Sequence, residues 1–528
     1  MKRLVSLLLV LMLSLPFVGG TALAEKAPVE LDIVVVRRAT DITKSFSEKH
    51  WVQQAEQACN VKINWIELME GAVDEPLAAI LAGDLPDAFF MGMQFPNEII
   101  TQNTGLFRTL TVEEIEELAP NIYALYEKYV PDWQHVLTYP DGNIYGLLSG
   151  GLSSENHLTQ GLQYLNYQWL ENLGLEVPTN PKEFHDILVA FRDKDANGNG
   201  DPNDEIPIDF CNNHYAANIL NFASAWGLAI GNGSTFYNID NGVAVPTVNT
   251  DAFREFLEYF HQLGQEGLLN LEGFSQTQDQ YNANLDALKV GVFWGWGPYN
   301  YIKSDARLQY KALVPIAADG YSTSILANNP NRSNTNGFVI TKDCENVEAA
   351  LRFYDYLSEP TMALNVANGE EGVFWNKVDE NYNYTTTDGK ATDEALIAAG
   401  YENLVGVEFN GSNTVGYVNN APLTLKAPTY DIEANPTANS VIRLVAMRAY
   451  TSAGVLSETI PKVIVPAEAK EELDFMCDGL QELINGFTAE SIINGVTDAS
   501  WSNFCEKLER YNYSFYIEWY NKLCRGEM

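Results

Sequence analysis

The first hundred residues alternate between short apolar strands and amphipathic helices. A β-branched run at Leu31–Val36 is followed by a helical pattern over Ser47–Cys59, and every second residue is apolar across Val61–Trp65. A second helical segment at Glu75–Leu81 leads into an apolar strand at Ala88–Met91. Strands that alternate with helices in this way form βαβ units, so the pattern predicts a parallel sheet.

Open α/β sheets bind ligands at the edge where the carboxyl ends of their strands meet. We therefore expect Asp87, Met91 and Gln94, which flank the third strand, to lie at that edge. Far along the chain, Phe338–Ile340 has the pattern of a strand and Asp343–Leu357 that of a helix. A distant segment is thus predicted to return and complete the sheet.

The middle and the end of the chain are more helical. Leu165–Leu173 has helical character, and Asn180 with Pro181 supplies an N-cap and a first-turn proline for the next helix. At the far end, Trp501–Tyr511 and Tyr513–Leu523 are amphipathic and rich in aromatic residues, which favours packing over ligand binding. The fold class predicted from these elements is α/β with extra C-terminal helices.

An acidic loop, DKDANGNGDPNDE, follows the helix that Asn180 begins. Oxygen-bearing side chains alternate around a glycine, as a calcium ion requires, and without a cation the aspartates would repel one another. Two registers fit, one starting at Asp193 with Gly198 at the turn and one starting at Asp195 with Gly200. The alternative is a solvated acidic turn. The candidate calcium ligands are Asp193, Asp195, Asn197, Asn199, Asp201, Asp204 and Glu205.

The N-terminus indicates export. Lys2 and Arg3 precede an apolar run at Leu4–Val18, and small residues stand before Glu25, so residues 1–24 are predicted to be a cleaved signal peptide. The first cysteine is Cys59, which argues against an acylated lipoprotein cysteine at the cleavage site. No later segment has the length of uncharged apolar residues that a spanning helix needs. We expect a secreted protein, extracellular or periplasmic.

Composition narrows the function. The chain carries 32 Lys and Arg against 70 Asp and Glu, and a net charge of -38 repels nucleic acid and anionic lipid. Six cysteines are too few for a disulfide scaffold, although one bridge among Cys477, Cys505 and Cys524 is possible. We find no HExxH, GxSxG or GxxxxGK[ST] motif among the 528 residues. These observations favour a binding protein over an enzyme.

The order of three segments carries a family resemblance. GDLPDAFF at Gly83–Phe90, YLNYQWLENLGLEVPTNPKEF at Tyr164–Phe184 and the acidic loop ending in DEIPI resemble the extracellular solute-binding proteins of bacterial carbohydrate ABC importers. Within these, the chain is similar to the calcium-containing branch of alginate-oligosaccharide binders and LipO-like proteins, and the likeness continues through VGVFWGWGPY at Val290–Tyr299. The missing lipobox cysteine and the longer spacing before the Asp-Glu pair depart from that branch.

The resemblance implies a periplasmic-binding-protein-like fold, in which two α/β lobes are joined by crossing hinge segments. Lobe 1 would take residues 25–150 and a return segment near 325–400, and lobe 2 residues 151–324 and C-terminal parts. It also implies a monomer with a structural Ca²⁺, which binds an oligosaccharide between the lobes without chemistry and delivers it to the permease of an ABC transporter. The alternatives are a secreted glycoside hydrolase, which needs only two carboxylates, and a glycan-binding sensor or adhesin.

Aromatic residues indicate where a sugar would bind. Two indoles stand two residues apart among glycines, where we expect them to be exposed in the cleft, because an indole face packs against the C–H groups of a sugar ring. Other tryptophans and polar residues are candidates by region, although most tryptophans in a large protein belong to its core. The candidate ligand-binding residues are Trp294, Trp296, Tyr299, Trp226, Trp375, Asp87, Gln94, Asn336 and Arg37.

Overall fold

The computed structural model describes residues 27–37, 45–92, 95–130, 132–150, 155–231, 235–329, 334–380, 384–386, 393–398 and 436–527. The predicted signal peptide and Gln94 lie outside these ranges. The strands are β1 (Val29–Arg37), β2 (Val61–Met69), β3 (Ala88–Phe90), β4 (Gly146–Ser149), β5 (Leu162–Asn166), β6 (Ile206–Asp209), β7 (Tyr237–Asp240), β8 (Val243–Pro246), β9 (Val290–Gly295), β10 (Tyr310–Ala312), β11 (Asn334–Ile340), β12 (Trp375–Lys377) and β13 (Tyr384–Thr386).

Helices cover both faces of the two larger sheets and form the C-terminal part of the chain. They are α1 (His50–Cys59), α2 (Asp74–Ala82), α3 (Asn97–Gln102), α4 (Val112–Leu118), α5 (Pro120–Tyr129), α6 (Trp133–Leu137), α7 (Tyr167–Leu173), α8 (Pro181–Asp193), α9 (Asp251–Gln265), α10 (Gln278–Asp286), α11 (Val347–Tyr356), α12 (Pro360–Asn368), α13 (Asp393–Ala398), α14 (Asn439–Ala453), α15 (Ala467–Asn494), α16 (Asp498–Arg510) and α17 (Tyr513–Cys524).

The first lobe is built on a five-stranded sheet with the order β2-β1-β3-β11-β4. β1 pairs in parallel with β2 and β3, which confirms the predicted βαβ opening. β11, the predicted return strand, completes the sheet and runs antiparallel to β3 and β4. The helix that follows begins at Val347, four residues later than Asp343, because Thr341 holds the intervening residues in a turn: its hydroxyl accepts from Asp343 N and its carbonyl from Cys344 N.

The second lobe is built on a four-stranded sheet with the order β10-β5-β9-β6. β6 pairs in parallel with β9, whereas β5 is antiparallel to both β9 and β10. The segment predicted as helical from Leu165 begins as strand, because the Asn166 carboxamide caps α7 by accepting from the amides of Gln168 and Trp169 at 3.1 and 3.3 Å. Asn180 caps α8 as predicted, accepting from Glu183 N at 3.0 Å.

Each sheet has its own buried core. In the first lobe, Phe338 and Tyr354 stack with ring centroids 4.8 Å apart beneath Phe90. In the second, the C-terminal helices join the core, since Phe487 and Phe504 stack at 3.9 Å. The predicted role of these helices in packing is therefore confirmed.

Two crossing segments join the lobes side by side. Asn334 at the start of β11 pairs with Ser149 at the end of β4, and Thr159 pairs in antiparallel fashion with Ala327. A further contact between the lobes comes from α15, where Glu471 accepts a hydrogen bond of 3.1 Å from Gln102 of α3. The C-terminal part of the chain therefore contacts the first lobe as well.

All six cysteines have free thiols in the structure, so the bridge considered among Cys477, Cys505 and Cys524 is not formed. Within the described ranges, no helix combines the length and the apolarity needed to cross a membrane.

Candidate functional site

In each of the two larger sheets, one end of the strands lies next to the crossing segments. β4 ends at Ser149, from which the chain crosses to Leu162 at the start of β5. Leu162 lies opposite Gly295, the last residue of β9, and Asp209 ends the parallel neighbour β6. We call this side of the second sheet, at Leu162, Asp209 and Gly295, the hinge edge. Ligands of open α/β sheets bind at such an edge.

A cavity of about 320 Å³ opens on the second lobe beside the hinge edge. It is walled by the N-terminal turn of α8, by α9, by the 3-10 helix Ile219–Trp226 and by the loop after β10. The loop starts at the hinge edge, because Leu313 N donates to the carbonyl of Gln163 in the second position of β5. The volume is that of a pocket for a small ligand. Its aromatic walls are Phe184, Phe222, Trp226, Tyr259 and Phe260, and its polar groups are Gln163, Glu255 and Asp319.

Trp226 and Tyr259 form the aromatic corner of this cavity. Their ring centroids are 5.4 Å apart and the planes are tilted by 54°. Tyr259 is half-buried, and burial raises the pKa of its hydroxyl to about 12, so the hydroxyl keeps its proton at neutral pH. Glu255 and Asp319 are exposed at the rim. The cavity therefore offers aromatic faces together with hydroxyl, carboxamide and carboxylate groups, a combination that suits a sugar.

Trp296 belongs to a second aromatic cluster at the hinge edge. The Arg443 guanidinium lies over its indole, with Cζ 3.5 Å from the ring centroid, and the imidazole of His157 lies 5.2 Å from it. Arg443, on α14, is 1% exposed and donates to the carbonyls of Asn156 at 2.6 Å, Thr159 at 2.7 Å and Trp296.

Arg443 thus ties three parts of the chain together: α14, the crossing segment and the end of β9. No carboxylate balances its charge among its described hydrogen bonds, and burial lowers the pKa of the guanidinium. The three carbonyls take the place of a counter-ion, because each presents the negative end of its dipole. The indole of Trp296 is held in place as a result, and it remains half-buried with Tyr299.

The acidic loop folds around its own oxygens. Asp195 accepts from the amides of Asn199 and Gly200 at 3.0 and 2.9 Å, and Asp204 accepts from the carboxamides of Asn197 and Asn199 at 3.0 and 3.1 Å. Gly198 and Gly200 have φ values of 75° and 94°, which make the sharp turns. The loop therefore gathers these four oxygen-bearing side chains at one place.

Two of the predicted calcium ligands point elsewhere. Asp193 pairs with the neighbouring Arg192 at 2.7 Å, and Asp201 accepts from Asn203 N at 3.1 Å. Glu205 lies closer to the loop centre: its Oε1 accepts from Ala196 N at 2.9 Å, whereas its Oε2 is buried without a hydrogen-bond partner among the described residues.

Side chains of His, Cys, Asp and Glu are the commonest metal ligands in proteins. Within the described ranges, no group of three or more His, Cys, Asp or Glu side chains could hold a metal ion. Calcium also takes carboxamide and main-chain oxygens, which are the kind of donor that this loop is rich in.

Two of the predicted ligand-binding tryptophans are fully buried. The indole of Trp294 is 1% exposed, so the prediction that both indoles of the pair are exposed is wrong for this one: it lies in the core against Phe222. Trp375 is fully buried, and its Nε1 donates to Asn365 Oδ1 at 3.1 Å and to Gly369 O at 2.8 Å.

Asn336 and Asp87, which were also predicted to bind ligand, form hydrogen bonds with other parts of the chain. The Asn336 carboxamide is buried and accepts from Tyr139 Oη at 2.6 Å while donating to Phe95 O at 2.9 Å. Asp87 precedes β3 and so lies at the amino edge of the sheet, where its carboxylate accepts from Asp32 N at 2.8 Å. Arg37 does lie at the carboxyl end of β1, paired with Glu67 at 3.0 Å.

Sequence patterns gave little signal for the residues that the structure adds to the site. Phe184 and Tyr259 follow the apolar periodicity of α8 and α9, so they were indistinguishable from core residues. Arg443 carried a signal that was missed: it stands four residues before Met447 and seven before Tyr450, both fully buried, and thus occupies the apolar face of α14.

Comparison with known proteins identifies relatives that cover most of the chain. The chain is 24% identical over 483 residues to the fructooligosaccharide ABC transporter substrate-binding protein FusA of Streptococcus pneumoniae serotype 4, which covers 90% of this chain and 86% of FusA. A solved FusA EF-hand mutant in complex with fructo-nystose has a TM-score of 0.73 at 21% identity, over 94% of this chain and 99% of that one.

Two other solved structures share the fold. An HMO-binding ABC-transporter-associated solute-binding protein from Bifidobacterium longum infantis has a TM-score of 0.76 at 22% identity, over 94% of this chain and 99% of that one. The alginate-binding protein AlgQ2, solved without calcium ion, has a TM-score of 0.63 at 16% identity, over 94% and 98%. Residues 40–364 match the family model described as bacterial extracellular solute-binding protein. The fold is therefore the two-lobed α/β fold expected above, and the chain belongs to this family of extracellular solute-binding proteins.

Proposed function

We propose that this protein captures an oligosaccharide between its lobes and delivers it unchanged to the permease of an ABC importer. The observation that carries the proposal is the aromatic cavity of about 320 Å³ beside the hinge edge of the second lobe. The half-buried ring of Tyr259, which packs against Trp226, supplies a face for a sugar ring, and Gln163, Glu255 and Asp319 supply partners for hydroxyl groups.

Closure of the lobes would complete the site. The cavity is lined by the second lobe alone, so a sugar bound there gains contacts with the first lobe only when the hinge closes. A ligand that contacts both lobes in the closed form favours that form, because it binds the two forms with different affinity. The closed protein would then dock on the permease as a monomer at the outer face of the cell membrane. Relatives named for oligosaccharide binding and ABC transport support this proposal.

The experiment is an oligosaccharide panel of kestose, maltotriose, cellotriose and lacto-N-tetraose, read by thermal shift and by chromatography of the recovered sugar. We expect at least one sugar to raise the melting temperature and to be recovered intact. Release of a shortened sugar would favour the glycoside hydrolase alternative, for which Glu255 and Asp319 would be the first carboxylates to replace. Tyr259→Ala should weaken binding about tenfold. Tyr511→Ala, at an exposed tyrosine, is the matched control.

We propose in addition that the acidic loop binds a structural calcium ion in the register that starts at Asp195. The ligands would be oxygens of Asp195, Asn197, Asn199, Asp204 and Glu205, and the buried, unpaired Oε2 of Glu205 supports a cation at this place. An ion would neutralise the carboxylates that the loop gathers.

The calcium proposal is tested by thermal unfolding with 2 mM Ca²⁺ or with excess chelator. An extracellular-type site should add about 1 to 2 kcal/mol to the free energy of unfolding. Asp195→Ala should abolish the calcium-dependent shift, whereas Asp193→Ala should keep it, because Asp193 pairs with Arg192 outside the proposed ligand set. Equal melting temperatures for wild type with and without chelator would contradict the proposal.

A further inference from the structure

Among the buried polar groups of the second lobe that lack a hydrogen-bond partner within the described residues are Trp294 Nε1, Asn221 Nδ2 and Ser224 Oγ. The indole and the hydroxyl belong to residues that are 1% and 3% exposed. Buried polar groups of folded proteins are nearly always paired, since leaving one unpaired is unfavourable. Three such groups therefore need an explanation, above all if they lie together.

The three residues do lie together, because all of them line one small cavity of about 20 Å³. Trp294 comes from the end of β9, while Asn221 and Ser224 lie on successive turns of the 3-10 helix Ile219–Trp226. The volume holds a single group of the size of a water molecule. Thr159 of the crossing segment also lines the cavity, which places it at the hinge edge.

The wall also includes an exposed aromatic ring. Tyr215 is 45% exposed and stacks on His214, with centroids 4.9 Å apart and planes 20° from parallel. A sugar ring packed on Tyr215 could therefore reach the cavity with one substituent.

The three groups match the bonding capacity of one hydroxyl. The indole and carboxamide N–H groups donate only, so they require an oxygen with two lone pairs, whereas the serine hydroxyl can accept. A hydroxyl accepts two hydrogen bonds and donates one, which uses all three groups. We propose that this cavity is a subsite for a hydroxymethyl group of the bound saccharide, with Trp294 and Asn221 donating hydrogen bonds to its oxygen and Ser224 Oγ accepting the hydrogen bond from its O–H group. The inference rests on the proposed oligosaccharide binding and names the sugar substituent that the site selects.

The test compares Ser224→Ala with Thr488→Val. Both changes remove a buried hydroxyl that lacks a partner among the described residues, but Thr488 lies on α15 and does not line the cavity. Affinity for the panel sugar that binds wild type best is measured by calorimetry, together with the melting temperature. Ser224→Ala should weaken binding about five- to tenfold without lowering the melting temperature of the free protein. Thr488→Val should change neither.

A second comparison uses the 6-deoxy analogue of the same sugar, in which a methyl group replaces the hydroxymethyl group. It should bind wild type and Ser224→Ala with equal affinity, because it lacks the hydroxyl that Ser224 bonds. Trp294→Phe should weaken binding of the parent sugar as well.

The possible failures differ from one another. If Ser224→Ala binds the parent sugar as tightly as wild type, or if it lowers the melting temperature and leaves the affinity intact, the cavity holds a structural water and the subsite is refuted. If no panel sugar binds wild type, the oligosaccharide function itself is refuted, and the subsite with it.

Discussion

Replacing Arg443 by methionine should strongly destabilise the second lobe. The guanidinium is buried, lies over the Trp296 indole and serves the carbonyls of Asn156, Thr159 and Trp296. Methionine fills a similar volume but has no donor, so the carbonyls of Asn156 and Thr159 lose this partner, and the carbonyl of Trp296 keeps only the Tyr164 hydroxyl at 3.2 Å. The change in the free energy of unfolding of this variant therefore reports the loss of the hydrogen bonds and of the stacking, with little contribution from lost volume.

The expected magnitude follows from these contacts. Each buried carbonyl left unpaired costs about 1 kcal/mol or more, and the desolvated stack on the indole contributes about 2 kcal/mol. Removal of the buried charge recovers part of its desolvation penalty. We therefore expect the free energy of unfolding to fall by about 3 kcal/mol.

The assay is urea unfolding, followed by tryptophan fluorescence and by circular dichroism. Arg448→Met is the matched control on the same helix, since Arg448 makes an exposed ion pair with Glu155 at 2.9 Å and should contribute at most about 1 kcal/mol. The reasoning is refuted if Arg443→Met unfolds within about 0.5 kcal/mol of wild type, the range of an ordinary surface change.

Two further predictions concern other parts of the molecule. Trp375→Phe should lower the free energy of unfolding by about 1 to 2 kcal/mol, because Asn365 Oδ1 and Gly369 O lose the donor Nε1. Calorimetry should show unchanged sugar affinity, and weakened binding would show that Trp375 belongs to the ligand site. The Arg108 guanidinium, bonded to Glu114 at 2.6 Å, holds the pKa of that carboxyl below its usual range. The stabilisation that this ion pair gives is fully present above about pH 4.3, the pKa of a glutamate in the unfolded chain. It is lost as the pH falls through the pKa of Glu114 in the folded protein. Urea unfolding should therefore find Glu114→Gln less stable than wild type at pH 7 and equal to it at low pH. If the difference in the free energy of unfolding is the same at both pH values, the ion pair does not stabilise the protein as described.

Periodicity predicted the framework of the first lobe well. In the strands at Val29–Arg37 and Val61–Met69, the buried residues stand at alternate or successive positions. The apolar residues of the sequence follow the same pattern, so periodicity was enough to predict these strands. The predicted position of Asp87 was wrong because Asp87 directly precedes the strand at Ala88–Phe90, and a residue before a strand lies at the amino edge of a parallel sheet, not at the carboxyl edge.

The site was harder to predict because its residues meet only through tertiary contacts. Trp294 lies within a strand that is buried throughout, so the neighbouring glycines did not expose its ring as expected. Trp296, just past the strand end, is held by an arginine from a helix nearly 150 positions later in the chain. The calcium register was ambiguous in the sequence because both starts place oxygens and a glycine correctly, and only side-chain direction separates Asp193 from Asp195.

The central claim is that a saccharide is held intact between the lobes at the hinge edge. A crystal structure of the wild-type protein with the best-binding panel sugar tests it most directly. We expect an uncleaved sugar against Tyr259 and Trp226, with the first lobe closed over it. A sugar bound on another surface, or cleaved within the cavity, would contradict it.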